Sequence, residues 1–338
     1  KSFESQSKHV LKTPFKNLGF NWLPDAKGSF ANTLCGTGLI DTLISSLESR
    51  EAAGEKKTVG RRNTTLLDKY DPPVGRTTDD KSLMVVEGDS AKAFVVAGLS
   101  AKGVGREHYG IFALRGKLMN SRKAKLHEVQ SNKELSALTQ ILGLTPGTEY
   151  TLEMARKLPY QHLVLVCDQD LDGSHIAGLV VNWLHDRFSS LLRVKPDFVQ
   201  RFCTAIVRAQ PKGEAGRNFY TIQSYREWAD EWTRLHPDAP QPPAKYFKGL
   251  GTSTSADARQ YFSDMKRSGR HLFQYHYGGE GCDTALKAMF SDGNLYTAQR
   301  KEMLAAYDPK RHVIDWGTTS GTMEDVVRDD LVPFMAYD

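Results

Sequence analysis

The chain has 338 residues, 40% of them hydrophobic, which is enough for about two domains with cores of their own rather than a disordered tail. Its formal charge of +5 permits an anionic partner without identifying one. Apolar runs stop far short of the roughly 20 residues of a membrane span, and Cys35, Cys167, Cys203 and Cys282 form no CxxC pair, so a membrane protein, a zinc ribbon and a disulfide scaffold are all excluded as readings and a soluble, intracellular protein with reduced thiols is expected.

In chain order, residues 36–47 carry apolar positions at Leu39, Ile40, Leu43, Ile44 and Leu47, the spacing of an amphipathic helix. Residues 48–80 are charged and punctuated by Gly54, Gly60, Pro72, Pro73 and Gly75, the composition of a linker. From Lys81 the order becomes strand, turn, helix: an apolar run at 83–86, Gly88 to permit the turn, and a helical continuation over 91–99. A strand is predicted at 109–114, a helix at 133–142, a strand at 162–167, and a long helix from Ser174, a good N-cap, to Arg193. Strands alternating with helices imply a mostly parallel sheet covered on both faces. In such sheets functional groups gather beyond the carboxyl ends of the strands.

After Val194 the pattern is mixed. A β-rich run covers 198–209 and 218–222, followed by a helix near 225–235 and a Pro-rich turn at 237–243. Tyr225, Trp228 and Trp232 share a helical spacing, which places them in a core rather than on a base-stacking platform. Helices are predicted over 255–266, 283–290, 295–306 and 323–332, the last stopped by Pro333.

Two acidic clusters each follow an apolar strand directly: Glu87 in VVEGDSA, and Asp168, Asp170 and Asp172 in VLVCDQDLDGS. Several carboxylates in one turn repel unless a cation neutralises them, and a hard divalent ion with oxygen ligands does so. A calcium loop of the EF-hand type would need glutamate at its twelfth position, where this chain has Leu179. A solvated acidic turn, with Asp172 or Ser174 capping the following helix, is the plainer reading of DQDLDG alone. His175 is expected to make a structural hydrogen bond at the helix start, since magnesium prefers oxygen.

Two basic elements also stand out. Arg115, Gly116 and Lys117 follow a strand, where a glycine lets the backbone approach a ligand and two cations can meet phosphate oxygens; taken alone, they also fit a solvated charge pair. In KYFKGLGTS, Lys245, Lys248 and the run 249–253 lead into a helix N-terminus, a ready anion site.

In this order and at these separations, EGDSAKAFVVAGL, ALRGKLMN, LVCDQDLDGSHIAGLVVNWLH and YFKGLGTSTSADARQYF resemble the TOPRIM region of type IIA DNA topoisomerases, in the style of the eukaryotic and viral enzymes rather than the bacterial gyrase subunit. The resemblance implies an α/β fold: a Rossmann-like TOPRIM domain with a mostly parallel sheet and flanking helices over 81–200, and an α+β extension over 201–338. A transducer remnant over 1–50 and a linker over 51–80 would precede them. It implies two Mg2+ ions, for which Mn2+ or Ca2+ can stand in. Glu87 and Asp168 would hold the ion nearest the scissile phosphate, Asp168 and Asp170 the second, with Asp172 in support of either.

Arg115, Gly116, Lys117, Lys245 and Lys248 would contact the backbone of double-stranded DNA, with Lys92 and Asn120 as further contacts. Ala113 stands where the family usually has proline. FESQSKHVL resembles the transducer loop that reaches ATP, making Gln6 and Lys8 the ATP-sensing pair, with Ser7 in place of the usual threonine. The nucleophilic tyrosine, preceded by arginine, is expected in a winged-helix domain outside this sequence; Tyr337 follows Ala336 and is not it. A homodimer in the full-length enzyme, located in the nucleus or alternatively in a mitochondrion or kinetoplast or in a viral factory in the host cytoplasm, completes the expectation. A stand-alone TOPRIM nuclease or primase-like enzyme and a non-enzymatic DNA-binding module would use the same carboxylates, but KGLGTSTS and SQSK fit only the topoisomerase.

Overall fold

The run LMVV at 83–86 is buried on both faces, which a strand achieves only inside a sheet covered on both sides. In the computed structural model, which describes residues 69–75, 80–308, 314 and 316–337, this strand, β2 (Ser82–Glu87), lies near the middle of a seven-stranded sheet. The expected helix at 36–47, and Gln6 and Lys8, fall outside the described residues. Around β2 run β3 (Tyr109–Leu114), β4 (His162–Val166) and β5 (Val199–Phe202), all parallel, in the order β3-β2-β4-β5. One edge carries β1 (Tyr70–Asp71), antiparallel to β3, from within the stretch read as a linker. The other edge carries β9 (Leu272–His276), antiparallel to β5, and then β10 (Ser320–Thr322). A smaller antiparallel sheet joins β7 (Arg217–Phe219), β6 (Val207–Ala209) and β8 (Ala244–Tyr246).

Alternation along the strands sorts the core into two layers. Leu83, Val85, Leu163 and Leu165 face a layer that includes α3 (Lys133–Ile141), α5 (Leu171–Arg187) and α9 (Glu280–Phe290). Met84, Val86, Val164 and Val166 face α1 (Gly88–Leu99) and α8 (Ser255–Ser268). The two helices of this second layer come from distant parts of the chain, and they meet where Gly98 leaves room for the Phe262 ring. A Cβ at Gly98 would lie 2.1 Å from that ring. Against the small sheet, Trp228 of α7 (Ile222–Leu235) packs with Phe219 of β7 and with Tyr225 and Trp232 of its own helix, a core as expected. Cys167, Cys203 and Cys282 are buried free thiols, and no helix among the described residues is long and apolar enough to cross a membrane.

Several expected boundaries shift. The helix expected from Ser174 starts at Leu171, because the Asp170 carboxylate caps it by accepting from the Gly173 N–H at 2.8 Å. It breaks at Phe188 (φ −138°, ψ 38°) before a short helix, α6 (Ser189–Val194). The strand expected at 218–222 ends at Phe219, since the Thr221 hydroxyl caps α7. β9 was not anticipated; its Phe273 and Tyr275 alternate inward. Pro333 does not stop the last helix. A π turn over Val327–Leu331 follows α11 (Met323–Val326) and leads into α12 (Val332–Tyr337). The turn has already left the i→i−4 ladder that the proline would break.

Two outcomes are expected. Gly98→Ala should destabilise the protein by about 1–3 kcal/mol through overpacking, and Phe262→Leu should relieve much of that cost in the double variant, as read from urea unfolding. His271, buried against the Tyr261 ring and 3.0 Å from the Tyr220 hydroxyl, is held down to about 4 mainly by burial. Between its ordinary value near 6.5 and about 4, the unfolded chain takes up a proton that the folded chain refuses. Stability should therefore fall as pH drops through that window, by up to about 3 kcal/mol, and His271→Asn, whose side chain tolerates the φ of 72° there, should flatten the dependence in pH-resolved unfolding curves.

Candidate metal centre

Strand order decides which side chains meet. β3, β2 and β4 lie side by side and parallel, with Glu87 opposite Leu114 and Val86 opposite Val166. Their carboxyl ends therefore bring together the 115–117 turn, Glu87 and the DQDLDG loop. Gly88, at φ +75°, lets the chain turn from β2 straight into α1. Gly116, at φ +82°, lets the chain bend after β3.

Glu87 is half-buried, and one of its oxygens, Oε2, is buried without a hydrogen-bond partner. Burial first, then the charges of Asp168, Asp170 and Asp172, push its carboxyl above the ordinary carboxylate range, against a backbone N–H donated by Asp168. Asp168 Oδ1 accepts from the Leu250 N–H at 2.7 Å. The KGLG segment thus folds against the acidic loop: Gly249, at φ +77°, is so close that a Cβ would lie 2.3 Å from Asp168 Oδ2. The Asp168 carbonyl is equally crowded, since a Cβ at Gly173 would lie 2.2 Å from it. Asp172 is exposed, and its carboxylate, 2.6 Å from Lys117 Nζ, is held below the ordinary range by that hydrogen bond and charge.

The site is open. Among the described residues, no three carboxylate, imidazole or thiolate groups converge closely enough to enclose an ion by themselves. This suits magnesium, which keeps several waters and takes one or two carboxylates together with phosphate oxygens. The buried, unpartnered Oε2 of Glu87 beside Asp168 is the feature that fits a cation best, because such an oxygen otherwise bears the full cost of desolvation.

The basic residues divide into two groups. Arg115, Gly116 and Lys117 are exposed at the acidic edge, and Lys248 is exposed next to Gly249. Lys92 instead pairs with Asp71 at 3.0 Å. Lys245, on the small sheet, is 2.7 Å from Asp257 and lies over the Phe247 ring. The amide of Asn120 is turned inward: its nitrogen donates to the Phe290 carbonyl at 2.8 Å, and its oxygen accepts from Asn182 and from the Arg122 N–H. Thr254 caps α8, through a capping box with Asp257. The anion that the KGLG turn meets is Asp168 itself. His175 stacks on Phe334, with ring centroids 4.1 Å apart.

Sequence reasoning missed Arg201 and Asp330. Arg201 is fully buried, donates to the Asp168 carbonyl at 3.2 Å and pairs with Asp330 at 3.0 Å. The only signal was an arginine inside the apolar strand VQRF.

With the geometry in place, relatives can be compared. The chain matches the Toprim domain over residues 82–196 and the C-terminal associated domain of TOPRIM over residues 202–338. It is 38% identical to DNA topoisomerase 2 of Pisum sativum over 294 residues, covering 86% of this chain and 19% of that protein. It is 32% identical to DNA topoisomerase 2-alpha of Homo sapiens over 355 residues, covering all of this chain and 22% of that protein. The crystal structure of the Plasmodium falciparum topoisomerase II DNA-binding, cleavage and re-ligation domain superposes with a TM-score of 0.69 at 32% identity, covering 80% of this chain and 35% of that one. The chain spans about a fifth of the length of these two curated relatives.

The KGLG contact makes a direct prediction. Gly249→Ala should lose about 1–2 kcal/mol from the left-handed backbone alone, plus a clash with Asp168. In the Asp168→Gly background the clash part should vanish, a coupling of about 1 kcal/mol or more in a double-mutant cycle followed by urea unfolding.

Proposed function

Because the chain belongs to the type II DNA topoisomerase family and carries its Toprim domain, we propose that it forms the metal-binding part of that family's DNA cleavage and religation core. The observation that carries this reading is the pairing of Glu87, with its buried free oxygen, and Asp168 at adjacent strand ends, flanked by the 115–117 and KGLG turns. The domain implies a divalent metal, generally Mg2+. Glu87 with Asp168, and Asp168 with Asp170, would each hold such an ion, which when bound supplies positive charge against the phosphate and the leaving oxygen. In our reading two such ions act, and Asp172, tied to Lys117, supports the site from its rim.

In the transesterification, a tyrosine hydroxyl from a winged-helix region outside this sequence attacks a backbone phosphorus. The bond to the 3′-oxygen breaks and a 5′-phosphotyrosyl bond forms. In our reading Glu87 also serves proton transfer at the leaving 3′-oxygen. Arg115, Lys117 and Lys248 neutralise phosphates without reading bases, so affinity should follow salt rather than sequence. Double-stranded DNA, a second copy of the enzyme and its ATPase region are the partners of this reading. Gln6 and Lys8 would sense ATP, and the nucleus is the compartment.

The test is divalent-ion calorimetry with a nicked duplex present to supply phosphate oxygens. Mg2+ should bind the wild type, and Glu87→Ala and Asp168→Ala should each abolish detectable binding. Identical titrations for all three proteins would overturn the assignment. In the same duplex, Arg115→Ala and Lys248→Ala should each reduce the slope of log affinity against log salt by about 1.

A further inference from the structure

Beneath the carboxylates lies a buried ionic clamp. Arg201 on β5 has no exposed surface. Its Nη1 donates to Asp330 Oδ2 at 3.0 Å and to Ser174 Oγ at 3.3 Å, and its Nη2 donates to the Asp168 carbonyl at 3.2 Å. Ser174 Oγ in turn donates to Asp330 Oδ1 at 2.7 Å, and the Trp316 ring covers the guanidinium at 4.5 Å. A buried ion pair adds little net stability over an apolar replacement of the same shape. What this one does is join three elements: the acidic loop after β4, the first turn of α5, and the segment 327–337.

That segment touches the metal edge elsewhere too. Phe334 stacks on His175, and Lys117, the partner of Asp172, sits 5.2 Å from the Phe334 ring. Asp330 lies on the stretch of π-helix at Val327–Leu331, a rare local geometry that is frequent at functional sites. Residues 330–334 therefore engage the start of α5 through a hydrogen bond to Ser174 and a stack on His175, and reach the Asp168 carbonyl by way of Arg201.

We propose that the segment 327–337 is a positioning element of the metal centre, so that ion binding at Glu87, Asp168 and Asp170 and docking of this segment favour each other. This rests on the reading that those carboxylates hold a divalent ion. Asp330 and Arg201 are positioning residues, acting on the Asp168 backbone and the α5 start rather than on the ion. Because coupling between two binding events is reciprocal, an ion that tightens the loop also tightens the segment, and a loosened segment weakens the ion.

The experiment pairs Mn2+ binding, read by electron paramagnetic resonance, with amide hydrogen exchange in the presence and absence of Mg2+. In the wild type, Mg2+ should slow exchange across 327–337 and leave α7, in the small sheet, unchanged. Asp330→Asn, held at a temperature where circular dichroism reports full folding, should bind Mn2+ about ten-fold more weakly and lose the Mg2+-dependent slowing. Ser174→Ala should fall between them. A folded Asp330→Asn with wild-type Mn2+ affinity overturns the proposal, as does exchange in 327–337 that ignores bound Mg2+. If Asp330→Asn does not fold, the wild-type exchange result decides. A wild type that binds no Mn2+ overturns the metal reading itself and this inference with it, a result distinct from binding without coupling.

Discussion

Electrostatic repulsion among carboxylates is the constraint around which this structure is arranged. Glu87, Asp168, Asp170 and Asp172 come together beyond the carboxyl ends of β2 and β4, where the three aspartate charges add to burial in raising the cost of ionising Glu87. Each aspartate has a dedicated donor: the Leu250 N–H for Asp168, the Gly173 N–H for Asp170 and the Lys117 ammonium for Asp172. Glu87 is offset less completely, since its Oε2 is buried and unpartnered. The edge is balanced enough to fold, yet it keeps one buried oxygen for a cation.

Two of those donors come from far along the chain, Lys117 at 55 residues from Asp172 and Leu250 at 82 from Asp168, and the second knits the two halves together. Leu250 belongs to a turn whose Gly249 is close enough to Asp168 to exclude any side chain. The helix that follows this turn packs on α1 through Phe262 and Gly98. β9 and β10, from later still, extend the sheet begun by β2 and β3. The region carrying the C-terminal associated domain is thus structurally part of the acidic site, supplying its second wall, and Arg201 with Asp330 supplies its floor.

Much of the central architecture was legible because local signals and tertiary demands agree there. The apolar runs at 83–86 and 162–167 read as buried parallel strands because each leads through a turn into a helix, which puts the carboxylates directly after them at the strand ends. Boundaries were misread where side chains compete for the same task. Ser174 is a good helix cap in isolation, but Asp170 takes that position and frees Ser174 to bond Asp330. Pro333 signals a helix end only when the ladder before it is α-helical, and here it is a π turn. Internal partners were equally illegible: Lys92 pairs with Asp71, Lys117 with Asp172 and Lys245 with Asp257, and Asn120 donates to the Phe290 carbonyl, all from other elements of the chain.

The order of strand, turn, helix and acidic loop, and the residue types of the candidate site, were determined by the sequence alone, since they follow from hydrophobic period and from the chemistry that clustered carboxylates demand. Which groups meet was decided only by tertiary structure. The Asp168–Leu250 contact spans 82 residues and the Arg201–Asp330 pair spans 129. No local pattern encodes such pairings; they exist because sheet order β3-β2-β4-β5 and the packing of α8 and the 327–337 segment bring those backbones within hydrogen-bonding distance.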